Sequence, residues 1–156
     1  MERQILLVEL AGRTLGLPLA LVREIFTLAP VTPVPGAPAC VAGLTHLRGR
    51  LVPLLDLPCL MNAGTHRLRL GDPVVLVQAQ DLLAGLLVDR VVGIVHRDAT
   101  PEGTLPQQSE APQVLDIALM LTRVQAEVLK HSRPDGPGGA PIGEVLSPNA
   151  PKESSP

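Results

Sequence analysis

The hydrophobic pattern of the chain is a series of short apolar runs that end at Gly, Pro or Asp, which is typical of β-strands separated by tight turns. These runs predict strands at 5–10, 14–17, 23–28, 50–56, 74–79, 83–88 and 91–96. Single helical turns are predicted at 19–22, 39–43 and 57–61. One longer helix is predicted at 117–130, where apolar residues recur on one stripe: Ile117, Met120, Leu121, Val124 and Val128.

The segment before the fourth predicted strand is rich in proline. Pro30, Pro33, Pro35 and Pro38 each fix φ, remove a backbone donor and disfavour a helix just before them. We therefore expect an irregular, extended segment here.

The first apolar runs recur 69 positions later in the chain. Residues 5–25 align with residues 74–94, and six of the 21 aligned positions are identical. Further along, the register shifts to 60, so that residues 54–57 align with residues 114–117. The second copy therefore lacks nine residues, around segment 42–49 of the first. This pattern predicts two related lobes, of which only the first carries that segment.

Many short strands with a single long helix favour closed antiparallel β-barrels over a parallel, doubly wound sheet. Closure also removes the sheet edges that such apolar strands would otherwise expose. We expect one domain over residues 1–131, with lobe one at about 14–72, lobe two at about 73–117 and the terminal segments packed between them. The stripe of the long helix needs an apolar surface, which the barrels supply.

The composition changes at Ser132. Of the last 25 residues, 14 are Pro, Gly or Ser, too many for the segment to bury enough apolar area to offset its ordering entropy. We expect residues 132–156 to be a flexible tail. Its one apolar run, residues 142–146, is interpreted as incidental, with a docking strand as the alternative.

Composition also excludes some classes of partner. The formal net charge is −2, and the chain has one Phe and no Trp or Tyr, so it offers neither excess cations for phosphates nor rings on which bases could stack. No apolar run approaches the ~18–20 residues needed to cross a bilayer. We therefore expect no nucleic-acid partner, no direct membrane insertion and a cytoplasmic location.

The chain is poorly supplied with catalytic or metal-binding motifs. Cys40 and Cys59 are 19 positions apart and form no CxxC pair, so buried, reduced thiols are expected, with a disulfide as the alternative. The four histidines have neither HExxH nor HxxxH spacing, and no GxSxG, GxxxxGK[ST] or strand-linked GxGxxG motif is present. The sequence therefore predicts no catalytic residue, no metal site and no cofactor.

Asp56 and Asp116 occupy the same position in the two copies, each directly before a predicted helix. A carboxylate pair for acid–base chemistry is the alternative, but we interpret both residues as helix N-caps.

The segment Thr45–Arg50 stands out because the second copy lacks it. Arg48 is followed by Gly49 at the apex of a predicted hairpin, where a planar guanidinium with five donors can meet the backbone of another protein. A solvated turn arginine is the alternative.

These residues carry a resemblance to a known family. Residues 5–121 resemble the CheW family, the small coupling proteins of bacterial chemotaxis arrays. The most specific stretch is residues 41–57, which is similar to the family pattern Gly-Leu-Ile-Asn-Leu-Arg-Gly, an apolar pair, Pro, an apolar pair, Asp and Leu. Residues 19–25, 33–38 and 85–91 add further similarity.

The resemblance implies two SH3-like antiparallel β-barrels and a non-enzymatic adaptor. Such an adaptor would grip the cytoplasmic tip of a chemoreceptor and meet the regulatory domain of a CheA-type histidine kinase. The receptor-facing positions of the family fall on Val22, Glu24 and Arg48, and the rest of the loop adds His46, Leu47 and Gly49.

One residue departs from the family pattern: His46 stands where the family usually has Asn, which changes the donors and acceptors of the loop. Flagellar chemotaxis and pilus motility both suit the sequence. The alternative function is a stand-alone SH3-like module that binds Pro-rich or extended peptides, although such grooves are usually lined by aromatic residues. An enzyme is a third hypothesis, for which the sequence offers no catalytic motif.

Overall fold

The computed structural model of the chain describes residues 2–62, 64, 67–98 and 113–131. The predicted tail lies outside the described residues. Nine strands and two helices are seen in the described part, with a 3₁₀ turn at Leu19–Leu21. They are β1 (Glu2–Leu10), β2 (Arg13–Pro18), β3 (Val22–Thr27), β4 (Val41–Leu47), β5 (Arg50–Leu55), α1 (Leu57–Leu60), β6 (Pro73–Ala79), β7 (Leu82–Leu87), β8 (Arg90–Asp98), β9 (Gln113–Val114) and α2 (Ile117–His131).

The strands form two sheets. The first has the order β8-β1-β2-β9, and the second has the order β3-β6-β7-β5-β4. Neighbouring strands are antiparallel except for two pairs, β2 with β9 and β5 with β7. The expectation of a mostly β chain with short helices and one longer C-terminal helix is confirmed.

The pseudo-repeat of the sequence is present in the strand pairing. Hairpin β1–β2 corresponds to hairpin β6–β7, and each is joined in parallel to one further strand. In the first sheet Gly16 is opposite Val114, and in the second Gly85 is opposite Leu54. The two glycines are 69 positions apart and their two partners are 60 apart. The structure therefore confirms both offsets at which the sequence aligns with itself.

The third strand of each copy is exchanged between the copies. β3 pairs with β6, and β8 pairs with β1, both antiparallel. Even a β-bulge recurs, between Val22 and Glu24 in β3 and opposite Leu7 and Val8 in the β1–β8 pair. Each sheet therefore contains strands from both predicted lobes, and the lobe boundaries at about 14–72 and 73–117 remain a prediction.

The main core lies between the two sheets. Leu6, Val8 and Leu17 of the first sheet pack with Val75 and Val77 of the second, all at most 2% exposed. Helix α2 packs against β6 and β7 and completes this core with its predicted stripe. Along the stripe Ile117, Leu121, Val124 and Val128 are buried, and Met120 is half-buried.

The second sheet is also covered on its other face, where smaller clusters form around Leu54 and Val74 and around Val52 and Leu76. All six residues of β7 are consequently buried. Such a strand must be apolar throughout, which explains why its sequence shows a continuous run rather than an alternation.

Both predicted helix caps are confirmed. The Oδ1 atom of Asp56 accepts a hydrogen bond from the backbone N–H of Cys59 at 3.1 Å, and α1 begins at the next residue. The Oδ1 atom of Asp116 accepts one from the N–H of Leu119 at 3.0 Å, at the start of α2. Each carboxylate satisfies a donor that the first helical turn leaves unpaired, so the two residues act separately at equivalent places.

The prediction of a helical turn at 39–43 is wrong. A tight turn ends at Val41, whose N–H donates to the carbonyl of Pro38 at 2.9 Å, and strand β4 begins at the same residue. Val41 is opposite Leu55 in β5. Pairing with a strand far along the chain overrides the local preference of this segment.

The expectation of reduced thiols is also wrong, because Cys40 and Cys59 form a disulfide with their Cα atoms 5.3 Å apart. The backbone N–H of Asp56 donates to the carbonyl of Cys40 at 2.8 Å, which brings the residue before β4 next to the start of α1. The pairing therefore depends on tertiary structure that the spacing of the two cysteines does not encode.

Reduction of this disulfide is expected to lower the free energy of unfolding by about 3 kcal/mol, because the bond closes a loop of about 19 residues in the unfolded chain. Denaturant titrations with and without a dithiol reductant measure the difference. The double variant Cys40→Ser, Cys59→Ser should already be destabilised and should not respond to the reductant. Equal midpoints for the wild type under both conditions, with the thiols titrated in each, would contradict the prediction.

Candidate partner-binding surface

The β4–β5 hairpin ends in a two-residue turn made by Arg48 and Gly49. Leu47 is opposite Arg50, and the two turn residues have φ of +50° and +77°. Positive φ at both central residues is typical of the type I′ turn, whose twist matches that of the flanking strands. Glycine suits the second position, whereas an arginine at the first position is unusual because its Cβ is crowded there.

Strand β3 places Glu24 beside this turn. The Oε2 atom of Glu24 lies 3.1 Å from the Nη1 atom of Arg48, although the residues are 24 positions apart in sequence. The Arg48 side chain is 78% exposed and that of Glu24 is 27% exposed. The pair therefore lies on the surface, with most of the five guanidinium donors facing solvent.

An ion pair this exposed contributes little to stability, typically about 0–1 kcal/mol. Its effect is to restrict where the long Arg48 side chain points. Glu24 accepts one hydrogen bond and leaves the rest of the guanidinium edge for another group. The arrangement can recognise a carboxylate or a row of carbonyl oxygens on a second protein.

His46 and Leu47 point to opposite sides of the hairpin. Leu47 is half-buried and packs inward against a cluster that contains Val52 and Leu83. His46 is exposed and lies directly opposite Leu51 of β5. Leu47 thus packs the tip of the hairpin against the cluster inside the second sheet, whereas His46 belongs to the outer surface of the hairpin.

Val22 begins β3, on the other side of the bulge from Glu24. It is half-buried and packs against the main core, so only part of its side chain is available to a partner. The structure therefore joins Glu24 to the hairpin turn by direct contact and places Val22 on the same strand.

Leu51 was missed at the sequence level. Its side chain is 43% exposed on the outer surface of the hairpin, next to His46 across the strands. Residues 51–55 are apolar without alternation, so nothing in the sequence indicated that Leu51 is exposed while the next four residues of β5 are buried. An apolar side chain in this place enlarges the candidate surface.

Replacing Arg48 with Asn is expected to raise the free energy of unfolding by about 0.5–1 kcal/mol, because Asn tolerates positive φ at the first position of a type I′ turn. Thermal denaturation measures the gain. Ala11 offers a matched control, since it precedes Gly12 in the β1–β2 turn with φ of +50° and +75°. Ala11→Asn should stabilise the chain by a similar amount. A lower melting temperature for Arg48→Asn alone would contradict the weak contribution assigned to the ion pair.

Other kinds of site are not seen in the part of the chain that the structure describes. Within the described ranges, no three His, Cys, Asp or Glu side chains come together to hold a metal ion. Neither helix in that part of the chain is long and apolar enough to cross a membrane.

Comparison with known proteins places this geometry in a family. The model of the CheW-like domain matches residues 4–123. The chain is 34% identical over 87 residues to Protein PilI of Pseudomonas aeruginosa, which covers 56% of this chain and 49% of that protein. It is 35% identical over 83 residues to Chemotaxis protein CheW of Rhizobium meliloti, covering 51% and 54% of the two chains. The chain thus spans about half the length of these curated relatives.

A solved structure shows the same fold. The scaffolding protein TtCheW from Thermoanaerobacter tengcongensis superposes with a TM-score of 0.58 and 27% sequence identity, over 64% of this chain and 68% of that one. The expected SH3-like fold class is thereby confirmed. Since the family model covers most of the chain, including both sheets, the hairpin turn and the start of α2, this protein belongs to the CheW-like domain family.

Proposed function

We propose that this chain is a non-enzymatic adaptor of a bacterial chemosensory array, acting in the cytoplasm beneath the inner membrane. It would bind the cytoplasmic tip of a chemoreceptor and, through another surface, the regulatory domain of a CheA-type histidine kinase. The observation that carries the proposal is the exposed Arg48 guanidinium, set on a turn and oriented by Glu24 within a CheW-like domain.

The chemistry of this surface suits the tip of a helical hairpin. The last carbonyl groups of a helix lack partners within it, and acidic side chains are common on exposed helix surfaces. Arg48 can donate charge-assisted hydrogen bonds to either. The partly exposed Val22 and Leu51 supply apolar area on the strands beside it. An arginine with apolar neighbours is a usual composition for the energetic centre of an interface.

An adaptor of this kind acts by binding alone. It alters kinase activity only if its affinity differs between the active and inactive assemblies, because equal affinity for both states shifts no population. The proposed function therefore requires two partners to be bound at once and requires the affinity for one to depend on the other.

A three-component binding assay tests the proposal. The chain is titrated onto an immobilised chemoreceptor tip fragment from the same organism, and the regulatory domain of its CheA-type kinase is then added. We expect saturable binding of the chain, followed by saturable binding of the kinase domain to the complex. Retention of the kinase domain without the chain, or failure of the chain to bind the receptor fragments of both flagellar and pilus-type arrays, would contradict the proposed role.

A further inference from the structure

In the part of the chain that the structure describes, the first sheet has four strands and the second has five. In the second sheet β5 has β7 on one side and β4 on the other. Its counterpart in the first sheet, β9, has β2 on one side, and no strand of the described ranges lies on its other side. Within the described residues, the position in the first sheet that is equivalent to that of β4 is therefore not filled by a strand.

Residues at equivalent positions of the two copies differ in their exposure to solvent. Leu54 in β5 is fully buried, whereas its counterpart Val114 in β9 is 37% exposed. Phe26 in β3 is half-buried within two clusters, whereas its counterpart Val95 in β8 is 38% exposed. β4 helps to cover one face of the second sheet, and the equivalent face of the first sheet is partly exposed to solvent.

A groove of about 730 Å³ lies on this part of the molecule. We call it the open groove. It is lined by Arg3, Gln4, Ile5, Pro18, Leu19, Ala20, Arg97 and Val114. Its floor is mostly apolar, and two arginines stand on its rim.

The two rim arginines have the same charge and are cross-strand neighbours, because Arg3 of β1 lies directly opposite Arg97 of β8. Both are exposed, and neither takes part in an ion pair among the side chains that the structure describes, which do not include those of Glu2 and Asp98. Like charges in this position repel each other. A carboxylate bound between them would remove the repulsion, so the groove fits an apolar segment that carries one acidic residue.

We propose that residues 142–146 of the chain's own C-terminal tail occupy the open groove. This segment has the sequence Ile-Gly-Glu-Val-Leu, which combines three apolar side chains with the carboxylate of Glu144. In the proposed arrangement the apolar side chains cover Ile5 and Val114, and Glu144 pairs with Arg3 and Arg97. The segment thereby takes the place that β4 has in the second sheet.

The length of the chain beyond α2 permits this arrangement. Ten residues, 132–141, separate the end of α2 from the segment, and fully extended they span about 33 Å. A domain of 131 residues has a diameter of about 35 Å, so the segment can reach most of the surface. Because the tether keeps the segment close to the groove, a few weak contacts suffice for occupancy.

Amide hydrogen exchange on the full-length chain tests the proposal. We expect the amides of 142–146 to exchange at least about tenfold more slowly than in an unstructured peptide of the same sequence. Val145→Asp should abolish this protection, because it places a charge on the apolar floor. Ala150→Asp, a matched change outside the segment, should leave it unchanged.

Charge exchange provides a second test that does not depend on the apolar contacts. Arg97→Glu and Glu144→Arg should each reduce the protection, and the double variant should restore it. Arg13→Glu is the matched control, because Arg13 is an exposed arginine at the opposite end of the same sheet, about seven residues away along β1.

Three results would overturn the proposal: exchange of 142–146 at the unstructured rate, protection that Val145→Asp and Arg97→Glu both leave intact, or protection that increases with protein concentration. The last result would assign the groove to the tail of a second copy. None of these outcomes depends on receptor or kinase binding, so this proposal and the adaptor role fail separately.

Discussion

Arg48→Glu is expected to weaken binding to the receptor tip at least about 30-fold, which corresponds to the loss of about 2 kcal/mol from a charge-assisted contact at an interface. The substitution removes the guanidinium that would donate to the receptor. It also places a carboxylate next to Glu24, whose Oε2 atom lies 3.1 Å from Nη1 in the wild type. Titration of an immobilised receptor tip fragment measures the affinity.

The variant should remain folded, because the wild-type ion pair is exposed and contributes little to stability. Arg50→Glu is a suitable control, because Arg50 is also an exposed arginine on this hairpin and the substitution makes the same change of charge. It should change the affinity far less. Arg48→Asn provides a further comparison, because this variant should bind the receptor tip more weakly and yet be more stable than the wild type. Wild-type affinity for Arg48→Glu, together with an unchanged melting curve, would contradict the role assigned to the turn.

Gly43→Ala is expected to lower the free energy of unfolding by about 3 kcal/mol, from backbone strain and steric overlap together. Gly43 lies at a bulge in β4 with φ of +148°, a conformation that L side chains rarely adopt. A Cβ atom there would lie 2.6 Å from the carbonyl oxygen of Thr32 and 2.6 Å from Cγ1 of Val31.

Relief of this overlap requires the backbone to move. Thr32 and Leu44 are joined by two hydrogen bonds of 2.8 Å, which hold the proline-rich segment against β4. A shift of Thr32 would therefore weaken both bonds as well as the start of the hairpin. This explains why a glycine stands within the most family-like stretch of the sequence, apart from any contact with a partner.

Gly93→Ala provides the control for this prediction. Gly93 also lies in a strand, but its φ is not positive and a Cβ atom there would meet no heavy atom within 4 Å. The free energy of unfolding should change by no more than about 0.5 kcal/mol in Gly93→Ala. Urea titrations of both variants measure the difference. A urea midpoint for Gly43→Ala as high as that for Gly93→Ala would contradict the prediction, because it would show that the segment around Thr32 can move without loss of stability.

The pseudo-repeat also explains why the candidate surface occurs only once. Both copies build a hairpin that is joined in parallel to one further strand, but within the described residues only the first copy has the strand β4 and the turn that carries Arg48. Among the described strands, β9 has a neighbour on one side only. The nine residues by which the second copy is shorter in sequence thus account for there being one turn of this kind among the described residues, the turn that is proposed to face the receptor.

The site was partly predictable. The Arg48–Gly49 turn followed from a residue pair at a hairpin apex, and the resemblance added Val22 and Glu24. The contact between Glu24 and Arg48 did not follow from any local pattern. β3 and β4 are the opposite edges of the second sheet, so the contact requires the sheet to curl until β3 meets the tip of the β4–β5 hairpin.

By itself, the sequence determined the features that depend on neighbouring residues: seven of the nine described strands, though not β4 or β9, the helix caps at Asp56 and Asp116, the buried stripe of α2 and the two offsets of the repeat. These follow from alternation, helical spacing and backbone preference within a few residues. Only the tertiary structure decided the exchange of β3 and β8 between the copies, the disulfide, the start of β4 at Val41 and the pairing of Glu24 with Arg48. Each of these joins residues distant in sequence, whose contact depends on how the whole chain buries its apolar surface.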